Sequence, residues 1–283
     1  MEFVYVVRRS DLFERDCPQG FLRLSTADFA SRYGKSIHDL GFFVERRHAE
    51  RDSSLKQVIP YCVTISVPAN ESQRNDETTS ALGDAPTIEP RILCLRRLPK
   101  QGETRLHGKR SIGIGGHINP VDRAAAPGAP EVPSNGHAPS GHPNVPSSAG
   151  SVPPIVQDGA LRELFEELDC DRAQLVPVGI LNDDSTPVGS VHVGVVFFAL
   201  VQGETTIREQ EAMEGEWSTW KALQRQADAP GATFESWSSL LLRAFTAEDV
   251  RNLARESAAP PPSRRHPAVS GSSAPSPRTV AAP

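Results

Sequence analysis

The stretch Asp158–Leu168, DGALRELFEEL, restricts what this chain can fold into more than any other. Wound as a helix at about 100° per residue, it separates into two faces. Leu161, Leu164, Phe165 and Leu168 recur at the spacing that packs on a core, and Glu163, Glu166 and Glu167 gather nearly opposite. Asp158 is the expected N-cap, with Gly159 just inside the helix start. Carboxylates three and four apart on one face repel by roughly 0.2–0.5 kcal/mol per pair. Such a face is either a solvated acidic surface, with Arg162 one turn from Glu166 to pair with it, or a set of hard oxygen ligands for Mg²⁺ or Mn²⁺. The upstream stretch Ser111–Asp122, SIGIGGHINPVD, favours the second. A turn such as Gly113-Ile114-Gly115-Gly116 lets backbone approach a ligand closely and can aim a carbonyl at a metal.

Together the two stretches resemble the Nudix hydrolase signature, G-x5-E-x7-R-E-U-x-E-E-x-G-U, where U is bulky and apolar. Gly116 matches the opening glycine, Arg162-Glu163-Leu164-Phe165-Glu166-Glu167 reproduces R-E-U-x-E-E without a gap, and Cys170 takes the last apolar place. Three features depart from the pattern. Asp122 stands at the first glutamate. Asp169 replaces the glycine after the helix, so the C-cap cannot rely on a residue free to turn left-handed. The short spacer has become an insert from Arg123 to about Leu161.

The resemblance implies an α/β (α+β) fold, a Nudix-type α/β/α sandwich with a mixed sheet, covering about Gln57 to Leu253. It also implies hydrolysis of a diphosphate linked to another moiety, often a nucleoside. By resemblance, Glu166 and Glu167 are the principal metal ligands, helped by the carbonyl of Gly115 or Gly116. Glu163 is a further ligand or holds the metal-bound water, and Arg162 orients the glutamates through charge-assisted hydrogen bonds. The general base stays open between Glu163, Asp183 or Asp184 in the NDD turn, and Glu211, Glu214 or Glu216 in an acidic loop after the longest strand, the last group being slightly favoured. Lys109 and Arg105, in the basic run Lys100–Arg110, and His117 beside the glycine turn are the candidate substrate-binding residues. Two other readings remain. Gly116-His117 resembles the glycine turn of isopentenyl diphosphate isomerases, for which Cys94 is the nearest cysteine upstream, and a nucleotide-sensing Nudix domain would bind without cleaving.

Composition bounds the rest. At 283 residues with 25 prolines, the chain suits one ordered domain with disordered segments. Those segments are expected at about 69–90, at about 123–156 and in the tail 256–283, and residues 1–56 are read as an α+β extension packed on a Nudix domain spanning 57–255. A net charge of −5 gives no sign of general affinity for a nucleic acid polymer, and the expected partner is a small-molecule diphosphate, with a homodimer possible as in many Nudix enzymes. Cys17, Cys62, Cys94 and Cys170 form no C-x-x-C pair, which argues against a zinc site or a disulfide framework. The start MEFVYVV has no leader-like apolar region and no run reaches membrane length, so a cytoplasmic protein without a membrane partner is expected.

Strands are predicted at Glu2–Val7, Gln57–Val67, Arg91–Arg96, Val176–Leu181 and Val191–Val201 from β-branched and apolar enrichment. Phe21–Leu24 is read as a partner of the first strand across Pro18-Gln19-Gly20, and Phe42–Asp52 as a charged strand or hairpin whose Arg46, Arg47 or Arg51 is an alternative phosphate ligand. Ser25-Thr26-Ala27-Asp28 is a capping-box-like helix start. Helices are predicted at Ser218–Ala227 and from Thr233 or Ser236 to near Leu253. His192, at the head of the longest strand, is expected to satisfy a backbone carbonyl.

Overall fold

The computed structural model describes residues 1–14, 16–67, 89–98, 108–124, 152–208 and 213–258. The first half runs β1 (Phe3–Arg8), α1 (Arg9–Leu12), β2 (Gly20–Arg23) and α2 (Thr26–Phe29), then a π-helical turn (Ala30–Gly34) into α3 (Lys35–Leu40). It continues through β3 (Phe42–Glu45), α4 (Arg46–Ala49), β4 (Leu55–Val67), β5 (Arg91–Arg97), β6 (Arg110–Ser111), β7 (Gly113–Gly115) and α5 (Pro120–Ala124). The second half holds α6 (Pro154–Glu167), β8 (Gln174–Asn182), α7 (Pro187–Ser190), β9 (His192–Gln202) and β10 (Met213–Thr219). It closes with α8 (Trp220–Ala227), α9 (Ser236–Ala244) and α10 (Ala247–Ala258).

The ten strands among the described residues join one sheet, ordered β10-β5-β4-β9-β8-β2 along its main path. β4 pairs in parallel with β9 from Gln57↔His192 to Val67↔Gln202, and the other pairings are antiparallel, so the sheet is mixed. Strand residues alternate between faces, and here both faces are covered. Val58 and Cys62 of β4 pack with Leu164 of α6 and Phe29 and Ile37 of the N-terminal helices. Tyr61, Val63 and Ile65 pack on the other face with Trp220, Leu241 and Phe245. A strand buried on both faces reads as a continuous apolar run rather than an alternating one, which is why QVIPYCVTISV is visible in the sequence. The result is an α/β/α sandwich.

Several expectations are corrected. β2 pairs with β8, Gly20↔Asn182 through Arg23↔Gly179, and not with β1, which lies between β3 and β4. Phe21 and Leu22 pack into opposite cores, so this strand suits a sheet edge covered on both sides. Phe42–Asp52 is a short strand followed by a helical turn, with Arg46 paired to Glu2 and Glu50. The helix at the carboxylates starts at Pro154 with Pro153 as N-cap, so Asp158 lies inside it and the last residues of the 123–156 segment are helical. Val152 and Val156 are buried and carry the apolar stripe back from Ala160 and Leu164, and Pro is well suited to the first helical turn. The C-terminal helix breaks after Ala244 because Thr246 and Asp249 cap each other and start α10 afresh. The Ser25–Asp28 cap is as expected, with the Ser25 hydroxyl accepting the Asp28 N–H at 3.1 Å. Residues 68–88, 125–151 and 259–283, where the loop, most of the insert and nearly all of the tail were expected, lie outside the described residues.

Leu164 is fully buried where α6 meets the sheet. Leu164→Ala is expected to cost about 2–5 kcal/mol, read as a lower urea midpoint with an unchanged slope.

Candidate active site

Close approach of α6 to the segment 116–122 builds the site, and glycine permits it at two places. Gly159 faces Ile118 and Asp122, where a Cβ would stand 3.1 Å from Ile118. At Gly116 a Cβ would overlap the carboxylate of Glu163, so only glycine lets that carboxylate rest on the turn. β7, leading into the turn, is held to β4 by Gly113↔Val63 and Gly115↔Tyr61.

Arg162 then connects everything. Its Nε donates to Asp122 Oδ1 at 2.7 Å and its Nη2 to Asp122 Oδ2 at 3.2 Å and to the His117 carbonyl at 2.8 Å. Its Nη1 donates to Glu163 Oε1 at 2.9 Å and Glu166 Oε2 at 3.1 Å. All five N–H donors of the guanidinium therefore have an acceptor. Asp122, at 4% exposure, also accepts the Asn119 N–H at 2.8 Å, so the shorter acid at the first signature position reaches both the arginine and its own loop.

The electrostatics of this corner are negative. Burial, reinforced by Glu166 and Asp122, holds the Glu163 carboxyl above its ordinary range despite the neighbouring guanidinium. Below the helix, burial pushes the Cys62 thiol up, and the charges of Glu163 and Glu167 push it further. Carboxylates of Asp122, Glu163 and Glu166 share one arginine, an imbalance of the kind a divalent cation neutralises, and carboxylate and carbonyl oxygens are the donors Mg²⁺ and Mn²⁺ prefer. Among the described residues no group of three His, Cys, Asp or Glu side chains is already arranged to grip an ion. Arg162 Nη1 bridges Glu163 and Glu166, so both carboxylates turn towards the arginine.

The remaining candidates separate sharply. His117 joins the site through its carbonyl, and its ring meets that of His192, Nε2 to Nε2, at 3.4 Å. Burial, then Arg46 and His192, lower the His117 pKa to about 3, so the imidazole is neutral. His192 Nδ1 bonds the Val188 carbonyl at 2.7 Å, as its position suggested. Lys109 is exposed just ahead of β6, while Arg105 and Glu211 lie outside the described residues.

The acidic loop is a strand. β10 pairs along its length with β5, placing Glu214 opposite Arg96 and Glu216 opposite Cys94. Met213 and Trp217 face the α6 side, so Glu214 and Glu216 point to the other face of the sheet and Glu214 is no base for this site. Cys94 is buried on that face beside Trp220, its thiol pushed up to about 11 by burial. His117 lies instead near the start of β4, so the pair required of an isomerase does not come together.

In the NDD turn, Asp183 accepts the N–H and hydroxyl of Ser185 at 3.1 and 2.6 Å, which closes the turn. Asp184 has a different partner set, and the sequence reading missed it. The fully buried Lys56 ammonium donates to Asp184 Oδ1 at 2.6 Å, while Gln19 and Arg9 donate to Oδ2 at 2.7 and 2.5 Å. Burial alone would raise this carboxyl, but the Lys56, Gln19 and Arg9 bonds outweigh it and hold the pKa far below the carboxylate range. Asp184 is an anchor and cannot serve as a base. A lysine inside the apolar run LKQVIPYCV was the available signal.

No family model matches the chain. Protein YmaB of Bacillus subtilis (strain 168) is 28% identical over 250 residues, covering 85% of this chain and 96% of that protein. The crystal structure of Tm1382, a candidate Nudix hydrolase, aligns with 89% of this chain and 100% of its own at TM-score 0.58 and 25% identity. The match of shape runs over most of both chains, and the R-E-U-x-E-E helix lies on its glycine turn. The chain has a Nudix-type fold. A Nudix hydrolase from Alicyclobacillus acidocaldarius aligns more distantly, at 14% identity and TM-score 0.41 over 67% of this chain and 90% of that one. Among the described residues, no helix is long and apolar enough to cross a membrane.

Removing Asp184 would leave Lys56 buried and uncompensated. Asp184→Ala is expected to lose about 3–5 kcal/mol in urea unfolding. Because the folded pKa is depressed, the contribution of Asp184 is complete above its unfolded pKa of about 4 and is lost as pH falls further. The stability gap between wild type and Asp184→Asn should therefore narrow from pH 6 to pH 3.

Proposed function

We propose that the chain is a metal-dependent hydrolase of the phosphoanhydride bond in a nucleoside diphosphate linked to another moiety. The observation that carries this reading is the Arg162 fork, which binds Glu163 and Glu166 together while the Glu163 carboxylate rests on the Gly116 turn. Glu166 and Glu167, with a carbonyl of Gly115 or Gly116 and with Glu163, would hold Mg²⁺ or Mn²⁺. Such an ion, when bound, polarises phosphate oxygens and acidifies the attacking water.

The protein's own groups supply the rest. Of the base candidates we assign the role to Glu163, half-buried and resting on the turn, whose carboxylate would accept the proton from water. Arg162 fixes the angle of that carboxylate. The neutral His117 ring offers an N–H to a phosphate oxygen without adding a fixed charge. Lys109, exposed ahead of the turn, and Arg105 are proposed to meet the outer phosphate.

Release of phosphate or nucleotide from a panel of nucleoside diphosphate derivatives, with Mg²⁺, Mn²⁺ or EDTA, tests this. Glu166→Gln and Glu167→Gln are each expected to lower kcat/KM at least about 100-fold, and EDTA should abolish turnover. Turnover that survives both substitutions and EDTA would overturn the reading. Thermal stabilisation by one compound without its hydrolysis would mark a sensor instead. Gly116→Ala should lower kcat by about 100-fold by moving Glu163 through roughly an ångström, with little change in melting temperature.

A further inference from the structure

A second polar cluster is buried beneath the same glycine turn, on the face of the sheet away from α6. Tyr61 stands on β4 opposite Gly115, with its side chain in the C-terminal core. Gly113 lies so close over the Tyr61 ring that a Cβ there would overlap it. The Tyr61 hydroxyl donates to Oε1 of Glu235, the N-cap residue of α9. The same oxygen accepts from Ser111 Oγ at 2.8 Å and Ser238 Oγ at 2.9 Å. Ser238 Oγ in turn accepts the Ile112 N–H at 2.9 Å, and Ser111 Oγ accepts the Gly113 N–H at 3.1 Å. Backbone bonds repeat the contact, from Arg110 N–H to the Thr233 carbonyl at 2.9 Å and from Glu235 N–H to the Arg110 carbonyl at 3.0 Å.

One carboxylate oxygen thus gathers hydroxyl donors from three separate segments: the central strand, the start of the turn and the start of α9. Tyr61 is 5% exposed and Ser238 is fully buried. Burial, and then the Glu235 charge, keep the Tyr61 hydroxyl protonated and therefore a donor. Bonds from hydroxyls to an ionised carboxylate are the stronger kind. Buried polar networks of this sort hold one backbone arrangement when every member is satisfied. The segment they hold needs it, because SIGIGG is glycine-rich and would otherwise sample many conformations.

We infer that Glu235, with Tyr61, Ser111 and Ser238, is a positioning device that fixes the glycine turn, and with it the carbonyls of Gly115 and Gly116 and the surface on which Glu163 rests. This rests in part on the proposal that the turn helps hold a divalent ion. It places a determinant of the site more than a hundred residues beyond the turn, at the start of α9.

Two measurements on the full chain test it, using Glu235→Ala, Glu235→Gln and Ser238→Ala. The first is amide hydrogen exchange without metal. Glu235→Ala should speed exchange across Ile112–Gly116 at least tenfold while β9 and α6 keep their protection, and Ser238→Ala should expose the Ile112 amide. The second is Mn²⁺ titration followed by electron paramagnetic resonance, where Glu235→Ala should weaken binding at least tenfold. Glu235→Gln, which keeps an acceptor oxygen, should restore most of both. Wild-type exchange at 112–116 in Glu235→Ala overturns the inference, as does a uniform rise over the whole chain. Unchanged Mn²⁺ affinity with faster turn exchange overturns the link to the ion site. If the wild-type chain takes up no Mn²⁺, the metal proposal fails and the exchange result alone decides whether Glu235 holds the turn.

Discussion

The guanidinium of Arg162 is where the signature helix, the glycine turn and the loop after it become one object. Its five N–H donors reach Asp122, the His117 carbonyl, Glu163 and Glu166. A point-charged ammonium in its place could not reproduce that fork. Without the arginine, Asp122 would be a buried, uncompensated carboxylate, and Glu163 and Glu166 would repel each other across one helical turn. The arrangement also explains how Glu163 and Glu166 are tolerated together on one helix face, since Arg162 pairs with both.

The two-faced sheet gives that arginine a rigid support. β4 is central, with α6 on one face and α8–α10 on the other, and it holds β7 directly. The turn is gripped from both sides: Arg162 takes the His117 carbonyl from above, and the Glu235 cluster takes the amides of Ile112 and Gly113 from below. A stretch as glycine-rich as SIGIGG supplies close approach without supplying its own rigidity, so rigidity has to come from neighbours that are distant in sequence.

The carboxylate helix and the long apolar strands were readable because local periodicity records them: three glutamates opposite a leucine stripe, and an unbroken β-branched run where both faces are covered. The start of α6 was not. Pro153 and Pro154 close a proline- and alanine-rich segment whose composition reads as disorder, yet proline suits a first helical turn and Val152 and Val156 are buried. Nor could local pattern show that β2 pairs with β8, since strand partners across many residues are chosen by the core. Glu214 failed as a candidate base for the same reason. Its residue type was right, but the register of β10 on β5 turns it to the wrong face. Lys56, Asp184, Tyr61 and Glu235 show the limit from the other side, because buried polar partners are recognisable only once the chain has brought them together.

The most direct measurement is a crystal of the chain soaked in Mn²⁺ and read by anomalous scattering. The account predicts a peak about 2.0–2.2 Å from the carboxylates of Glu166 and Glu167 and from a carbonyl of the Gly115–Gly116 turn. A fully occupied peak elsewhere, or none there at saturating Mn²⁺, would contradict it.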